Sequence, residues 1–388
     1  MSSSSQDPSG QRVAMLSDLV GINSVNPEQA GERSGPGGEA ELATWVADRC
    51  DGLGATVELD EAEPGRPNVY ARFPGRSDRL VAIDVHLDTV GVEHMEGDPF
   101  DGRVADGRVY GRGSVDTKAT LAVVLPILEQ AANGAFDLEP SVLLVGTVGE
   151  EVGGLAGARR FQEWLRERGE RPNDLVVAEP TMCAPVHGHK GAVGLEILIL
   201  GQAAHSSKPE LGANAITAAA RVVMAMEQEH QRLIGEKPET TMGTGTLSVT
   251  EIGGGMGRNI IPDRCELFAG RRTAPGERAH EIYEQLAALA VEAASPLDVE
   301  VALANGLAAD AFYQDPNSDL VQQLAAIAES APDLATYGTN AMAYEDLADQ
   351  VVVFGPGSID QAHKAVEWVD ISELDRADHV YRRWLSAH

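Results

Sequence analysis

Apolar positions recur along the chain in two rhythms. Runs that are apolar almost throughout, at Val69 to Phe73, Leu80 to Val85, Ser141 to Thr147 and Asp174 to Ala178, predict buried strands, and Ala55 to Leu59 predicts another. Helix-period stretches at Arg12 to Val20, Glu39 to Cys50, Thr117 to Asn133 and Leu155 to Arg168 alternate with them. Strands interleaved with helices predict an α/β core on a parallel or mixed sheet. Near residue 190 the order changes. Strand Gly194 to Leu200, an Ala-rich helix from Ala213 to Gln231, strands Gly245 to Ile252 and Asp263 to Ala269, helix Glu277 to Ala294 and strand Val299 to Leu303 make a small α+β unit. From about residue 306 the first pattern resumes, with a helix at Ser318 to Ser330, a buried strand at Gln350 to Phe354 and a helix at Ile371 to Leu385. The expected organisation is a discontinuous catalytic domain, residues 1–190 and 306–388, interrupted by an inserted domain at residues 191–305.

A length of 388 residues suits two domains. The 60 acidic and 30 basic side chains leave a net charge of −30, which argues against binding nucleic acid or an anionic membrane, because both need clustered basic surface. Any anionic substrate must then be held by local cations. Cys50, Cys183 and Cys265 are widely spaced and form no CxxC pair, so neither a disulfide framework nor a thiolate zinc site is expected. The Ser-rich leader lacks a basic segment followed by an apolar one, and Thr120 to Leu128 is too short to span a bilayer. The expectation is a soluble cytoplasmic protein.

Candidate chemistry gathers where apolar runs end. In LVAIDVHLDTV, His86 and Asp88 lie two apart at the C-terminal end of a strand and so project to one face. In GRGSVDTKAT, Asp116 immediately precedes a helix, where it reads either as an N-cap or as a carboxylate whose two oxygens bridge two cations. Glu150 and Glu151 follow the strand in VLLVGTVGEEVGG; they read as helix-start acids, or as one metal ligand beside one carboxylate facing water. The order GGxxG after them lacks the dinucleotide fingerprint. Glu179 ends the run DLVVAEP, and His363 follows VVVFGPG within SIDQAH. Together, His86, Asp116, Glu151, Glu179 and His363 supply nitrogen and oxygen ligands, which suits zinc, with cobalt or manganese as alternatives. Three ligand carboxylates against two divalent cations leave one positive charge, which a single hydroxide neutralises; hydroxide is what hydrolysis requires.

The ordered set HLDTV, GRGSVDTK, GEEVGG, AEPT, GQAAHSS with GxNAI, GRNIIPD and GPGSIDQAH resembles the M20 zinc aminoacylase and carboxypeptidase family from about residue 10 onward. Within that family GHKG, AHSSKPELGANAI and GPGSIDQAH look most like acetylornithine deacetylases. The resemblance implies a zinc-exopeptidase-like mixed-sheet domain with an inserted ferredoxin-like lid and dimerisation domain. It implies two Zn2+ ions, one held by His86 and Glu179, the other by Glu151 and His363, with Asp116 between them and Asp88 orienting His86. It assigns Glu150 as general base, and implies a cis bond between Asp116 and Thr117.

By the same resemblance, His205 of the inserted domain donates to the tetrahedral oxyanion, from the partner subunit in dimeric relatives. Arg258, Asn259 and Arg272 are the expected holders of a substrate carboxylate, with Arg271 read as a surface arginine. His94, His230, His280, His379 and His388 have no motif support and are expected to be structural or solvent-facing. Gly270, Ala119 and Asn340 depart from the family pattern; Asn340 stands where deacetylases of basic amino acids often carry an acid, and it cannot neutralise an ornithine ammonium. The expected activity is dizinc hydrolysis of an N-acyl amino acid, foremost N-acetylornithine. Dipeptidase, carboxypeptidase or desuccinylase action on another substrate is the alternative, and a non-catalytic binding homologue is the alternative of another class. A small-molecule substrate and a homodimer formed through the inserted domain are the expected partners.

Overall fold

The computed structural model describes residues 8–237, 241–344 and 346–386; His388 and the start of the Ser-rich leader lie outside them. The chain divides into two compact units, one formed by Met1–Gly188, Gln314–Leu334 and Thr339–His388, the other by His189–Tyr313 with Ala335–Gly338.

The first unit is built on a mixed sheet. Its strands are β1 (Thr56–Glu63), β2 (Arg66–Phe73), β3 (Leu80–His86), β4 (Ser141–Thr147), β5 (Asp174–Val177) and β6 (Val186–His189), with the late strand Gln350–Val353. The spatial order is β1–β2–β4–β3–β5, then Gln350–Val353, then β6. β3 is parallel to both β4 and β5, and Gln350–Val353 is parallel to β5. Four neighbouring strands therefore end at one edge, where α/β sheets gather ligands. Their continuous apolar runs are buried, as strands covered on both faces must be.

The first helix, α1 (Pro8–Val20), begins four residues before the periodic stretch, because Pro is tolerated at a helix start, where its missing N–H has no intrahelical partner to lose. Next come α2 (Ala40–Gly52), α3 (Lys118–Ala132) and α4 (Ala156–Arg168). Every residue of α3 from Lys118 to Leu128 is buried, and its Leu121 and Leu125 share one core with Leu16, Leu19, Ile83, Phe354 and Trp384. Among the described residues no helix is long and apolar enough to cross a membrane.

The second unit is a four-stranded antiparallel sheet carrying two helices. Strands β7 (Gly191–Leu200), β8 (Thr246–Gly254), β9 (Arg264–Thr273) and β10 (Asp298–Ala309) lie in the order β8–β9–β7–β10, the ferredoxin-like arrangement, with α5 (Ala215–Ile234) and α6 (Ala279–Ala294). β9 alternates buried and exposed residues, so Cys265, Leu267 and Ala269 meet Ala218, Val222, Leu286 and Ala290 in a separate core. β10 runs well beyond Leu303. Asn305 and Gly306 take left-handed backbone in a bulge, after which Ala308 and Ala309 rejoin Val193 and Ala192, and the unit continues to Tyr313. Arg271, read as a surface residue, is buried and paired with Glu277, since the alternation of β9 turns it inward and Arg272 outward.

Candidate metal centre

The edge of the first unit's sheet carries a cluster of nitrogen and oxygen atoms. His86 is the last residue of β3, Glu150 and Glu151 lie in the turn after β4, and Glu179 follows β5. His363 comes from the loop after Gln350–Val353, with its backbone at φ 60°. Asp116 precedes α3 but does not cap it, because the N-cap position is Thr117 and no side chain caps that helix. Glu150 and Glu151 are not helix-start acids either, since α4 begins only at Ala156. The Asp116–Thr117 peptide bond is cis.

Asp116 divides its two oxygens. Oδ1 lies 3.1 Å from His86 Nε2, and Oδ2 lies 3.3 Å from His363 Nε2. Glu179 Oε1 is 3.9 Å from His86 Nε2, and Glu151 Oε2 is 3.0 Å from His363 Nε2. Two triads that could each hold a cation result, His86–Asp116–Glu179 and Asp116–Glu151–His363, with the ligand atoms of each within 4.8 Å of one another. Glu151 Oε1 is buried without a hydrogen-bond partner, as expected of an oxygen aimed at an ion. The donor set is imidazole and carboxylate, which fits zinc.

The charges point the same way. Burial pushes the Glu150 and Glu179 carboxyls well above the usual range, reinforced for Glu150 by Glu151 and for Glu179 by Asp116. Burial and Asp116 lift Glu151 to about 7. Burial also opposes ionisation of Asp116, but His363 and His86 outweigh it and hold that carboxyl low. Hydrogen bonds to Asp116 and Glu151 raise His363 to about 10. Crowded carboxyls that burial keeps from ionising together are the surroundings a divalent cation relieves.

The turn bearing the two glutamates is held from behind. Asn68 Oδ1 accepts the N–H of Val148 at 3.2 Å, Glu39 Oε1 that of Gly149 at 3.2 Å, Asp88 Oδ1 that of Glu150 at 3.1 Å and Asp88 Oδ2 that of Glu151 at 3.0 Å. Four successive backbone donors thus end on side-chain oxygens. Asp88 also accepts from Asn26 Nδ2 at 2.8 Å. It meets His86 through its backbone carbonyl, 3.0 Å from Nδ1, whereas its carboxylate is 3.7 Å away and committed to the turn. Burial disfavours the Asp88 carboxylate, yet His86, Asn26 and the Glu151 N–H more than compensate and keep it below the ordinary value.

Asn340 is buried and donates to Asp84 Oδ2 at 3.0 Å and Thr147 Oγ1 at 2.9 Å, while Tyr344 donates to the same Asp84 oxygen at 2.6 Å. An acid in its place would set a second carboxyl against Asp84, so the amide at this position serves the core. Glu39, Asn68 and Asn26 carry no sequence signal of their role; they are single polar residues far along the chain from the turn they hold.

In the second unit, Ala204 and His205 pair with Ile261 and Ile260. Ser206 N donates to the Asn259 carbonyl at 2.9 Å, so His205, Arg258 and Asn259 share one exposed loop cluster, while Arg272 stands apart on β9. His205 Nδ1 lies 2.7 Å from Ser207 Oγ and 3.2 Å from the Ser207 backbone nitrogen, so its Nε2 is the ring nitrogen without a contact to the Ser207 turn.

Residues 82–387 match the family model described as peptidase family M20/M25/M40. An acetylornithine deacetylase of Myxococcus xanthus is 30% identical over 357 residues, spanning 88% of this chain and 90% of that protein. An M20 family metallo-carboxypeptidase from Sulfolobus solfataricus superposes with a TM-score of 0.79 at 17% identity, covering 97% of this chain and 98% of that one. A tripeptidase from Staphylococcus aureus gives 0.77 at 20% identity, with 97% of each chain covered.

Proposed function

The chain belongs to peptidase family M20/M25/M40 and is a metal-dependent hydrolase, and from that premise we propose that it is a dizinc deacylase of N-acyl amino acids, with N-acetylornithine as its foremost substrate. The observation that carries the reading is the division of Asp116, one oxygen to each histidine-bearing triad. His86 and Glu179 would hold one ion, Glu151 and His363 the other, and Asp116 both. The bound ions would supply Lewis acidity toward the scissile carbonyl and lower the pKa of water.

The remaining chemistry belongs to the chain. Glu150 is in neither triad, and burial raises its basicity, so its carboxylate takes a proton from water and returns it to the departing amine. Asp88 fixes that carboxylate through the backbone N–H and orients His86 through its carbonyl. His205 Nε2–H is the tautomer able to donate to an oxyanion, and Arg258, Asn259 and Arg272 offer donors for a substrate carboxylate. The second unit supplies the dimer surface, and the protein acts in the cytoplasm. The deacetylase reading draws support from the Myxococcus relative.

The test combines metal analysis with product release. Two zinc ions per chain and chelator-sensitive acetate release from N-acetylornithine are expected. Turnover confined to dipeptides or N-succinyl substrates would discard the deacetylase. Glu150→Ala should keep both ions and lose about 10²–10⁴-fold in kcat; retained turnover would overturn the base assignment.

A further inference from the structure

Arg112 and Glu367 form an ion pair whose side chains are 1% and 0% exposed, and neither has a part in the chemistry above. Desolvation consumes much of the attraction in such a pair, so its presence is better explained by what its remaining atoms hold. Glu367 gives one oxygen to Arg112. The other, Oε1, accepts the N–H of Val115 at 3.1 Å and that of Asp116 at 3.3 Å. Arg112 Nη2 donates to the Gly91 carbonyl at 3.1 Å, and Gly111 N to the Glu367 carbonyl at 3.1 Å. Just beyond, Trp368–Asp370 pairs antiparallel with Arg108–Tyr110. Segments 108–116 and 367–370 are thus fastened together residue by residue.

This fastening joins two ligands. Glu367 is four residues beyond His363 and bonds the backbone of Asp116. His86 ends β3 and Glu179 lies two residues beyond β5, while the turn of Glu151 is already held through its backbone by Asp88, Glu39 and Asn68. His363 sits out on a loop with its side chain 52% exposed, held otherwise by a contact between its carbonyl and His94 Nε2 at 3.3 Å and by Glu96 N donating to the Ala365 carbonyl at 2.9 Å.

We infer that Glu367, braced by Arg112, is a positioning residue that sets the distance between His363 and Asp116 and thereby the affinity of the Asp116–Glu151–His363 position for its cation. The inference rests on the reading of the two triads as cation positions. Residues behind a ligand typically change metal affinity about 10–100-fold when altered. Glu367→Gln keeps the size of the side chain but must turn its amide N–H2 either against the Arg112 guanidinium or against the N–H groups of Val115 and Asp116.

The experiment is a Zn2+ titration of chelator-stripped protein against a chromophoric competitor, with thermal unfolding of the stripped protein alongside. Wild type should take up two ions. E367Q should leave one constant unchanged and lose about 10–100-fold in the other. Both constants unchanged would overturn the positioning role, and so would equal weakening of both with a lowered midpoint of the stripped protein, which marks a purely structural part. A wild type that takes up no second ion would overturn the cation reading itself, and this inference with it. Arg112→Lys, which keeps a cation beside Glu367 but not the reach to Gly91, should show the same selective loss to a smaller degree. It decides the matter should E367Q fail to fold; unchanged constants there overturn the brace.

Discussion

Asp88→Asn tests how the glutamate turn is held. Asp88 accepts three hydrogen bonds: Oδ1 from Glu150 N, and Oδ2 from Glu151 N and Asn26 Nδ2. Asparagine retains most of this by placing its oxygen at the Oδ2 position, which leaves its amide N–H2 facing the Glu150 N–H. One charge-assisted bond is then replaced by two donors in opposition, and the other two bonds lose their ionic partner. A hydrogen bond to a charged group is worth about 1.5–3 kcal/mol. Local opening of the turn should therefore become easier by that amount, or roughly 10–150-fold in amide exchange at about 1.4 kcal/mol per decade. The assay is hydrogen exchange of the peptide spanning Val148 to Glu151 in stripped protein, with an α3 peptide as internal control. The depressed Asp88 carboxyl adds a sign: its contribution is present above the ordinary value of 3.8 and is lost as pH falls through its lower folded value. Exchange of the turn in D88N indistinguishable from wild type would refute the account of Asp88 as the backbone acceptor.

Three further outcomes are expected. His189 is buried, and desolvation lowers it from 6.5 to about 4, so its stabilising contribution is full above pH 6.5 and is withdrawn as the pH falls toward 4. Between pH 7 and pH 5 about 2 kcal/mol of that contribution is lost, and His189→Gln should flatten the difference between thermal midpoints at those two pH values, which an unaltered pH dependence would contradict. A Cβ at Gly157 would lie 2.3 Å from Val148 N and 2.7 Å from Asn68 Oδ1, so Gly157→Ala should cost about 1–3 kcal/mol in thermal stability and lower kcat by displacing the turn; wild-type values of both would show that the turn yields freely. His205→Ala should lower kcat about 10²–10³-fold with little change in KM, whereas a rise in KM alone would make it a binding residue.

The strands that end at the site could be read from the chain because each is a short apolar run closed by an acid or a histidine, and burial on both faces leaves that pattern unbroken. The six long helices and strands of the second unit were equally plain, since their periods of 3.6 and 2 report one covered face. Short pairings such as Arg108–Tyr110 with Trp368–Asp370 were not readable, as three residues carry no period. Asp116 shows a different limit: an acid before a helix fits a cap and a ligand equally, and only the positions of His86 and His363 decide where its oxygens point. Glu39, Asn68 and Glu367 act on backbone groups far away in sequence, so neither their type nor their spacing betrays what they hold. Asn340 stands out by resemblance as a departure from the family pattern and is bonded to Asp84 and Thr147, a contact that a position within a motif does not announce.

Of the five ligand candidates, His86, Asp116 and Glu179 are buried and the Glu151 side chain is 4% exposed, while that of His363 is 52% exposed. This asymmetry gives the centre an entrance. A cation held by Asp116, Glu151 and His363 would lie beside the exposed member of the cluster, whereas one held by His86, Asp116 and Glu179 would be surrounded by buried side chains. Exchange of cations so held would be ordered, the outer one leaving before the inner one. Scarcity of the cation would then favour a half-loaded form in which the enclosed position stays filled, so that regaining the full centre would require filling the exposed position alone.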